Sequence, residues 1–265
     1  MPAVTTLDAD LTLAHELADR ADAITLARFR SEDLVVETKP DLTPVSEADH
    51  AVEQARRARL DEVHPDDTVL GEEYGEDGGA TAARRWIVDP IDGTKSYVRG
   101  MPVWATLLAL EQDGELVLGV VSAPALNRRW WATRGGGAFL REGTEEPRRL
   151  RVSAIASLAD AQLCFAGLED WIARVGVEAF TALAAQCWRT RGFGDFWQYM
   201  LVAEGSAEIA LDPVVSLWDL AAPLVVVQEA GGRFTDLAGV PTADGGSAVA
   251  TNGRLHDIVL GQLGS

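Results

Sequence analysis

The stretch Trp86–Tyr97, W-I-V-D-P-I-D-G-T-K-S-Y, constrains this chain more than any other. Trp86, Ile87 and Val88 form an apolar run that reads as a buried strand. It delivers two carboxylates, Asp89 and Asp92, around Pro90. Proline fixes its own φ and biases the preceding residue towards an extended shape, so the strand is expected to end at Asp89 in a sharp turn. Gly93 can take backbone angles closed to other residues, and Thr94 reads as the N-cap of a new helix. Acids beside a fresh helix start combine ligands for a hard divalent cation with free N–H groups that bind an anion such as phosphate. The plain alternative is an Asp-Pro turn followed by an acidic cap, and D-P-x-D taken alone favours it. The rest of the chain reverses that preference.

Ser46 with Asp49 three residues on is the capping-box pattern, opening a helix that runs to about Val63; Lys39-Pro40-Asp41 before it is a loop. His64-Pro65-Asp66-Asp67 stops the helix. Thr68–Leu70 then reads as a short strand with Gly71-Glu72-Glu73 at its end, and Gly75–Ala80 as a Gly-rich, acidic, mobile loop. In the other half, Leu217-Trp218-Asp219-Leu220-Ala221 opens an apolar helix with an acid, which the helix dipole favours. Taken singly, Asp49, Glu72 and Asp219 are ordinary caps and surface charges. A functional role for Asp49 requires it to lie near the central strand.

The remaining pattern sets the fold class. An amphipathic helix covers Asp10 to about Phe29. Val103–Leu110, Glu115–Ser122, Arg129–Ala132 and Ala138–Leu140 read as strands of an antiparallel meander, with Asp113-Gly114 as a hairpin turn. Gly135-Gly136-Gly137 is a turn, since no strand-to-helix phosphate loop of the G-x-G-x-x-G or G-x-x-x-x-G-K-[ST] type occurs. Trp130 and Trp131 read as packing or interface residues. Glu145–Arg151 is polar and marks a seam, giving halves 1–150 and 151–265. Beyond it strands and helices alternate: strands at Leu163–Phe165, Cys187–Thr190, Ala207–Leu211, Gly232–Asp236 and Ser247–Thr251, helices at Glu169–Gln186, Gly194–Glu204, Trp218–Ala230 and Leu255–Leu263. Pro223 is read as lying in the first turn of its helix, where it is tolerated.

The chain has 265 residues and a formal net charge of −18, which argues against nucleic acid and an anionic membrane surface as partners. Two cysteines without a C-x-x-C exclude a disulfide framework. Met1–Asp10 lacks the basic and apolar regions of a signal peptide, and no uncharged run reaches membrane-spanning length. A soluble, cytoplasmic protein is expected.

Three separated blocks, G-E-E at 71–73, W-I-V-D-P-I-D-G-T at 86–94 and W-D-L-A-A with E-A-G-G at 218–232, resemble the signature of the inositol monophosphatase family; Lys39 with Asp49 adds a weaker fourth. The resemblance covers nearly the whole chain. It implies a layered αβαβα sandwich and a magnesium-dependent phosphomonoesterase, dimeric and lithium-sensitive, with two Mg²⁺ ions per site and a weaker third. Within the family the chain looks most like the bacterial histidinol-phosphatases, on D-G-T-K at 92–95, R-G-M-P-V-W-A at 99–105, R-R-W-W-A at 128–132 and R-x-x-G-D-F at 191–196. The family pattern makes Glu72, Asp89, Asp92, the carbonyl of Ile91 and Asp219 the metal ligands. Thr94 and Glu72 orient the attacking water, and Asp49 supports Thr94 or the third metal. Gly93 and Thr94 hold the phosphate through their N–H groups, and Arg191, Asp195 and Asp212, with Asp92 and Asp219, face the substrate. Where inositol enzymes commonly have Thr-Asn after G-T, this chain has Lys95-Ser96, which turns the substrate expectation from inositol 1-phosphate towards L-histidinol phosphate.

The chemistry requires such a set. Phosphate monoesters are among the slowest esters to hydrolyse unaided, and two cations about 3.5–4 Å apart can stabilise both the entering and the departing oxygen. Mutually repelling cations need several carboxylates, and Asp, Glu and carbonyl oxygens are the ligands Mg²⁺ prefers. A phosphoaspartate mechanism is not indicated, since its D-x-D-x-T/V run is absent. The competing class is a fold relative that binds a ligand without turnover; loss of a metal ligand would favour it, and none is lost.

Overall fold

The computed structural model describes residues 4–77 and 83–264. Helix α1 (Val4–Arg28) leads to a hairpin of β1 (Val36–Thr38) and β2 (Pro44–Ser46), then α2 (Glu47–Val63), β3 (Thr68–Gly71) and β4 (Gly75–Asp77). Strand β5 (Arg84–Asp92) carries the central motif into the short helix α3 (Thr94–Val98). Next come β6 (Ala105–Gln112), β7 (Glu115–Ala123), β8 (Arg128–Thr133), β9 (Gly137–Glu142) and β10 (Arg148–Arg149). The chain continues through β11 (Gln162–Phe165), α4 (Leu168–Asp170), α5 (Val177–Ala184), β12 (Arg189–Arg191), α6 (Asp195–Glu204) and β13 (Ile209–Asp212). It closes with α7 (Leu217–Glu229), β14 (Arg233–Thr235), β15 (Ala248–Thr251) and α8 (His256–Leu263).

Besides the small β1–β2 hairpin there are two sheets. The first has eight strands in the order β10-β9-β8-β7-β6-β5-β3-β4. From β5 to β10 it is the antiparallel meander that the strand-like runs and the Asp113-Gly114 turn predict, and β3 joins β5 in parallel. The second has five strands ordered β12-β11-β13-β15-β14, parallel on one side of β13 and antiparallel on the other.

Successive strand residues face opposite sides, so each sheet feeds two cores. Ile87, Leu107, Ala109 and Val121 pack with Met200 of α6 and Leu220 and Val226 of α7. Their neighbours Trp86, Val88, Leu108 and Val120 pack with Leu13 and Leu17 of α1. In the second sheet Cys164, Ala210 and Ala250 join the α6–α7 core, while Leu163, Ile209 and Val249 pack against Phe180 of α5 and Val259 of α8. The result is helix, sheet, helix, sheet, helix: the expected α/β sandwich. Helix α7 lies in the central layer, and every residue from Leu220 to Val227 is buried, as a helix apolar all round must be. It presses closely on β7: a Cβ at Gly119 would lie 2.5 Å from the carbonyl oxygen of Ala222.

Several expectations are corrected. Strand β5 does not end at Asp89 but continues to Asp92 through an irregular register. Gly93, with φ 83°, takes the N-cap position of α3, and Thr94 is its first helical residue. The single helix at 169–186 is interrupted by a wider turn at Trp171–Val175 and by Gly176 at φ 92°, a conformation no continuing helix has. Helix α7 starts at Leu217 behind the N-cap Ser216, with Asp219 in its first turn; Pro223 lies in the second turn, not the first, and withdraws the donor that the Asp219 carbonyl would otherwise accept. The loop at Lys39–Asp41 is the tip of a hairpin; all three residues of β1 are exposed, so no apolar alternation signalled it. Of the loop expected at Gly75–Ala80, Gly75–Asp77 is β4, paired with β3, and 78–80 lie outside the described residues.

Candidate active site

The two acids of the central motif are three residues apart, and in a regular strand they would face opposite sides. Asp89 pairs with Leu107 and Asp92 with Ala105. Three steps on β5 are therefore matched by two on β6. The extra residue is a bulge, and it re-aims Asp92 to the same side as Asp89. Proline suits it, since a bulged position leaves no ladder donor missing; the Pro90 carbonyl accepts from Thr106 Oγ1 at 2.9 Å.

Two helices aim further acids at this bulge. In the capping box of α2, Ser46 N donates to Asp49 Oδ2 at 2.8 Å, and in that of α7, Ser216 N donates to Asp219 Oδ2 at 2.9 Å. Asp49 does lie beside the central strand: its Oδ1 is 3.4 Å from Thr94 Oγ1. The Thr94 hydroxyl also donates to the carbonyl of Ile91 at 2.9 Å. Helix α6 adds a main-chain contact, with Phe196 N donating to Asp92 Oδ2 at 2.5 Å.

Asp89, Asp92 and Asp219 offer oxygens that all lie within 4.8 Å of one another. Glu72 is close enough to raise the Asp89 pKa but is outside this group; its Oε1 accepts from Lys39 Nζ at 2.7 Å, and so does Glu73 Oε1, also at 2.7 Å. Burial, then the charges of Glu72 and Asp92, holds the Asp89 carboxyl well above the usual range. Burial, then Asp195 and Asp219, does the same for Asp92. Burial lifts Asp219 to about 7, against the pull of the Ser216 N–H, and it lifts Asp49 as well. Both oxygens of Asp89 are buried without a hydrogen-bond partner among the described residues. Orphaned acceptors on converging carboxylates are what a hard divalent cation satisfies; the donor set fits a metal site.

The acids open onto a cleft of about 710 Å³. Glu72, Gly93, Thr94, Asp195 and Asp212 line it. Asp195, at φ 51°, is raised to about 6 by burial, and burial raises Asp212 well above its ordinary value. Arg191 is not brought in: it is exposed, with Nη1 on the carbonyl of Thr190 at 2.7 Å. The cleft wall also holds Glu169 and Asp170 of α4, which were not singled out from the sequence. Nor were Glu53 and Arg56. Arg56 is 1% exposed and donates from Nη1 to the carbonyls of Asp89 and Leu107 at 3.3 and 3.1 Å. A signal existed, because Asp49, Glu53 and Arg56 share with Val52 and Leu60 the buried stripe of α2, and charge on a core-facing stripe asks for an explanation.

Comparison with known proteins places these residues in context. The profile of the inositol monophosphatase family matches residues 7–264. A histidinol-phosphatase of Mycobacterium tuberculosis is 57% identical over 256 residues, covering 96% of this chain and 97% of that protein. A histidinol-phosphatase of Streptomyces coelicolor is 53% identical over 258 residues, covering 96% of each. The IMPase structure from Thermotoga maritima superposes with a TM-score of 0.85 at 29% identity, over 97% of this chain and 96% of that one.

Proposed function

The chain belongs to the inositol monophosphatase family, and from that premise we propose that it is a histidinol-phosphatase, a phosphomonoesterase that releases L-histidinol and phosphate from L-histidinol phosphate in histidine biosynthesis. The observation that carries the substrate is identity above 50% to two histidinol-phosphatases over 96% of the chain. Support for metal-dependent chemistry comes from the cluster of Asp89, Asp92 and Asp219.

Asp89, Asp92, Asp219, Glu72 and the carbonyl of Ile91 would hold two Mg²⁺ ions, with Asp49 near a weaker third. When bound, the cations supply an acidified water and neutralise charge on the phosphoryl group and the leaving oxygen. The chain's own groups do the positioning. Thr94 and Glu72 orient the attacking water in line with the scissile bond. The Thr94 hydroxyl has one proton, held on the Ile91 carbonyl at 2.9 Å with Asp49 Oδ1 as the alternative acceptor at 3.4 Å; with that proton turned to Asp49, its oxygen can accept a hydrogen bond from the attacking water. The N–H groups of Gly93 and Thr94 hold the phosphate oxygens. Asp195 and Asp212 face the leaving group, and Arg191 would reach it only after leaving the Thr190 carbonyl. Among the described residues no helix is long and apolar enough to cross a membrane; a cytoplasmic homodimer completes the reading, and light scattering checks its mass.

The test is release of inorganic phosphate from L-histidinol phosphate, inositol 1-phosphate and fructose 1,6-bisphosphate, with Mg²⁺ and with EDTA. Turnover that is highest on histidinol phosphate and abolished by EDTA is expected. Equal or faster turnover of the inositol ester would point instead to an inositol-phosphate phosphatase, and activity that survives EDTA would remove the metal-dependent mechanism.

A further inference from the structure

We infer that Glu53 is a positioning residue for Glu72, fixing from beneath the turn that presents Glu72 to the metal site. The inference rests on reading Glu72 as a metal ligand. Glu53 is 0% exposed, and both of its oxygens are committed to the Gly71–Tyr74 turn: Oε2 accepts from Glu73 N at 2.9 Å and Oε1 from Tyr74 N at 3.2 Å. Arg57 Nε and Nη2 neutralise the carboxylate at 2.9 and 2.7 Å. Gly71 leaves the space it occupies, since a Cβ there would lie 2.0 Å from Glu53 Oε1.

The geometry bears on Glu72 in particular. Glu72 N donates to the carbonyl of Val88 at 3.2 Å, which ties it to β5 one residue before Asp89. The peptide on its other side ends in the Glu73 N–H held by Glu53. Both peptide planes of Glu72 are thus anchored, one to the strand that carries Asp89 and Asp92 and one to α2. A surface turn can give its N–H groups to water. Burying a carboxylate under this one is the costlier arrangement, and its effect is to fix the direction in which the next side chain leaves. Lys39 then holds the far end of Glu72. Glu53 is in this sense an outer partner of the site, of the kind that orients a ligand without touching the metal.

The experiment is direct titration with Mn²⁺, followed by loss of the free-ion EPR signal, on wild type, Glu53→Gln, Gly71→Ala and Glu72→Gln, with melting temperature and steady-state kinetics alongside. Glu53→Gln keeps an acceptor for one N–H and loses the other, and Mn²⁺ affinity should fall about tenfold to a hundredfold with kcat reduced and KM at saturating metal little changed. Gly71→Ala should weaken binding in the same way by displacing the Glu53 carboxylate, and should add nothing in a Glu53→Ala background. A folded Glu53→Gln, or a folded Gly71→Ala if Glu53→Gln fails to fold, that binds Mn²⁺ as wild type does overturns the inference. Glu72→Gln separates the two readings. If it weakens Mn²⁺ binding while Glu53→Gln does not, only the positioning role falls; if it leaves binding unchanged, the ligand reading falls and the inference with it.

Discussion

Asp49 and Asp219 occupy equivalent places on two helices far apart in sequence, each three residues after an N-cap serine whose N–H it accepts, at 2.8 Å from Ser46 and 2.9 Å from Ser216. Each commits Oδ2 to its own helix start. Asp49 then presents Oδ1 to Thr94, while Asp219 joins Asp89 and Asp92. The capping reading and the functional reading of these acids are therefore compatible: the cap is the mounting that fixes the carboxylate's direction.

This predicts a split between two substitutions at one position. Asp219→Asn keeps an acceptor for Ser216 N and loses the charge, so the melting temperature should stay near wild type while kcat falls by two orders of magnitude or more. Asp219→Ala also loses the cap and should be less stable by about 1 kcal/mol. Thermal melts and phosphate release on both variants check this. An active Asp219→Asn at modest Mg²⁺ would remove Asp219 from the metal site.

What was legible in the sequence, and what was not, follows from how far each signal reaches. The unbroken apolar run Leu107–Leu110 marks a strand buried on both faces, and its residues feed the two cores in turn, Leu107 and Ala109 one and Leu108 and Leu110 the other, because both faces of that sheet are covered by helices. The bulge was not legible. Pro90 signals an interruption, and only pairing with Leu107 and Ala105 shows that the strand resumes and carries Asp92 to the side of Asp89. The helix starts at Ser46 and Ser216 share one local pattern, a serine with an aspartate three residues on, yet only the first was read as a capping box; Pro223 lies beyond the first turn whether Leu217 or Trp218 opens the helix. Glu53 and Arg56 were not singled out, although both lie on the inward stripe of α2.

Packing of the central layer should tolerate nothing at Gly119. Its missing Cβ would meet the Ala222 carbonyl oxygen at 2.5 Å; a Cβ has no rotamer and the carbonyl is main chain, so neither partner can swing away. Gly119→Ala should destabilise the fold by about 1–3 kcal/mol, the usual range for overpacking, seen as a lower urea midpoint. Activity should fall too, because the helix pushed outward carries Asp219. A variant as stable and active as wild type would mean that α7 is not seated on β7 as described.

Acid should act through His256. The ring is 0% exposed, with Nε2 3.0 Å from Thr235 Oγ1 and Nδ1 3.0 Å from Thr251 Oγ1. Thr235 gives its proton to the Asp236 carbonyl, so Nε2 must be the donor; Thr251 accepts from Gly253 N and donates to Nδ1. Burial, and then Arg233, lowers the pKa from 6.5 to about 4, with Asp257 opposing. The folded ring stays neutral where the unfolded one takes a proton, so stability falls as pH drops from 6.5 towards 4, by about 2 kcal/mol at pH 5. Asp195 and Asp219 are raised and act with the opposite sign in the metal-free protein. The measurement is therefore the difference in unfolding free energy between wild type and His256→Asn, which should shrink from pH 7 to pH 5. A difference that does not change with pH would exclude His256 as the group responsible.

The substrate end of the cleft gives the last prediction. L-histidinol phosphate carries an ammonium and an imidazole beside its phosphate, whereas an inositol phosphate presents a ring of hydroxyls. The cleft wall also carries Asp170, Asp195 and Asp212, close enough together that Asp219, Asp195 and Asp170 all help to raise the pKa of Asp212. Bound cations would neutralise Asp89, Asp92 and Asp219; if Asp170, Asp195 and Asp212 then face the leaving group, as proposed above for Asp195 and Asp212, a cationic leaving group is the one that fits. Two of these carboxylates also have a structural role: Asp195 opens α6, and Asp212 Oδ1 accepts from Val214 N at 3.3 Å. Asp195→Asn preserves the helix start and tolerates the positive φ, so it removes charge alone. A charge-assisted hydrogen bond to the ammonium contributes roughly 1.5–3 kcal/mol. Asp195→Asn should therefore lower kcat/KM for histidinol phosphate about tenfold to a hundredfold while changing that for inositol 1-phosphate much less. If the variant keeps the full preference for histidinol phosphate, the ammonium contact is made elsewhere, and Asp212→Asn and Asp170→Asn are the next variants to measure. If wild type prefers the inositol ester, the acidic wall does not select the leaving group at all.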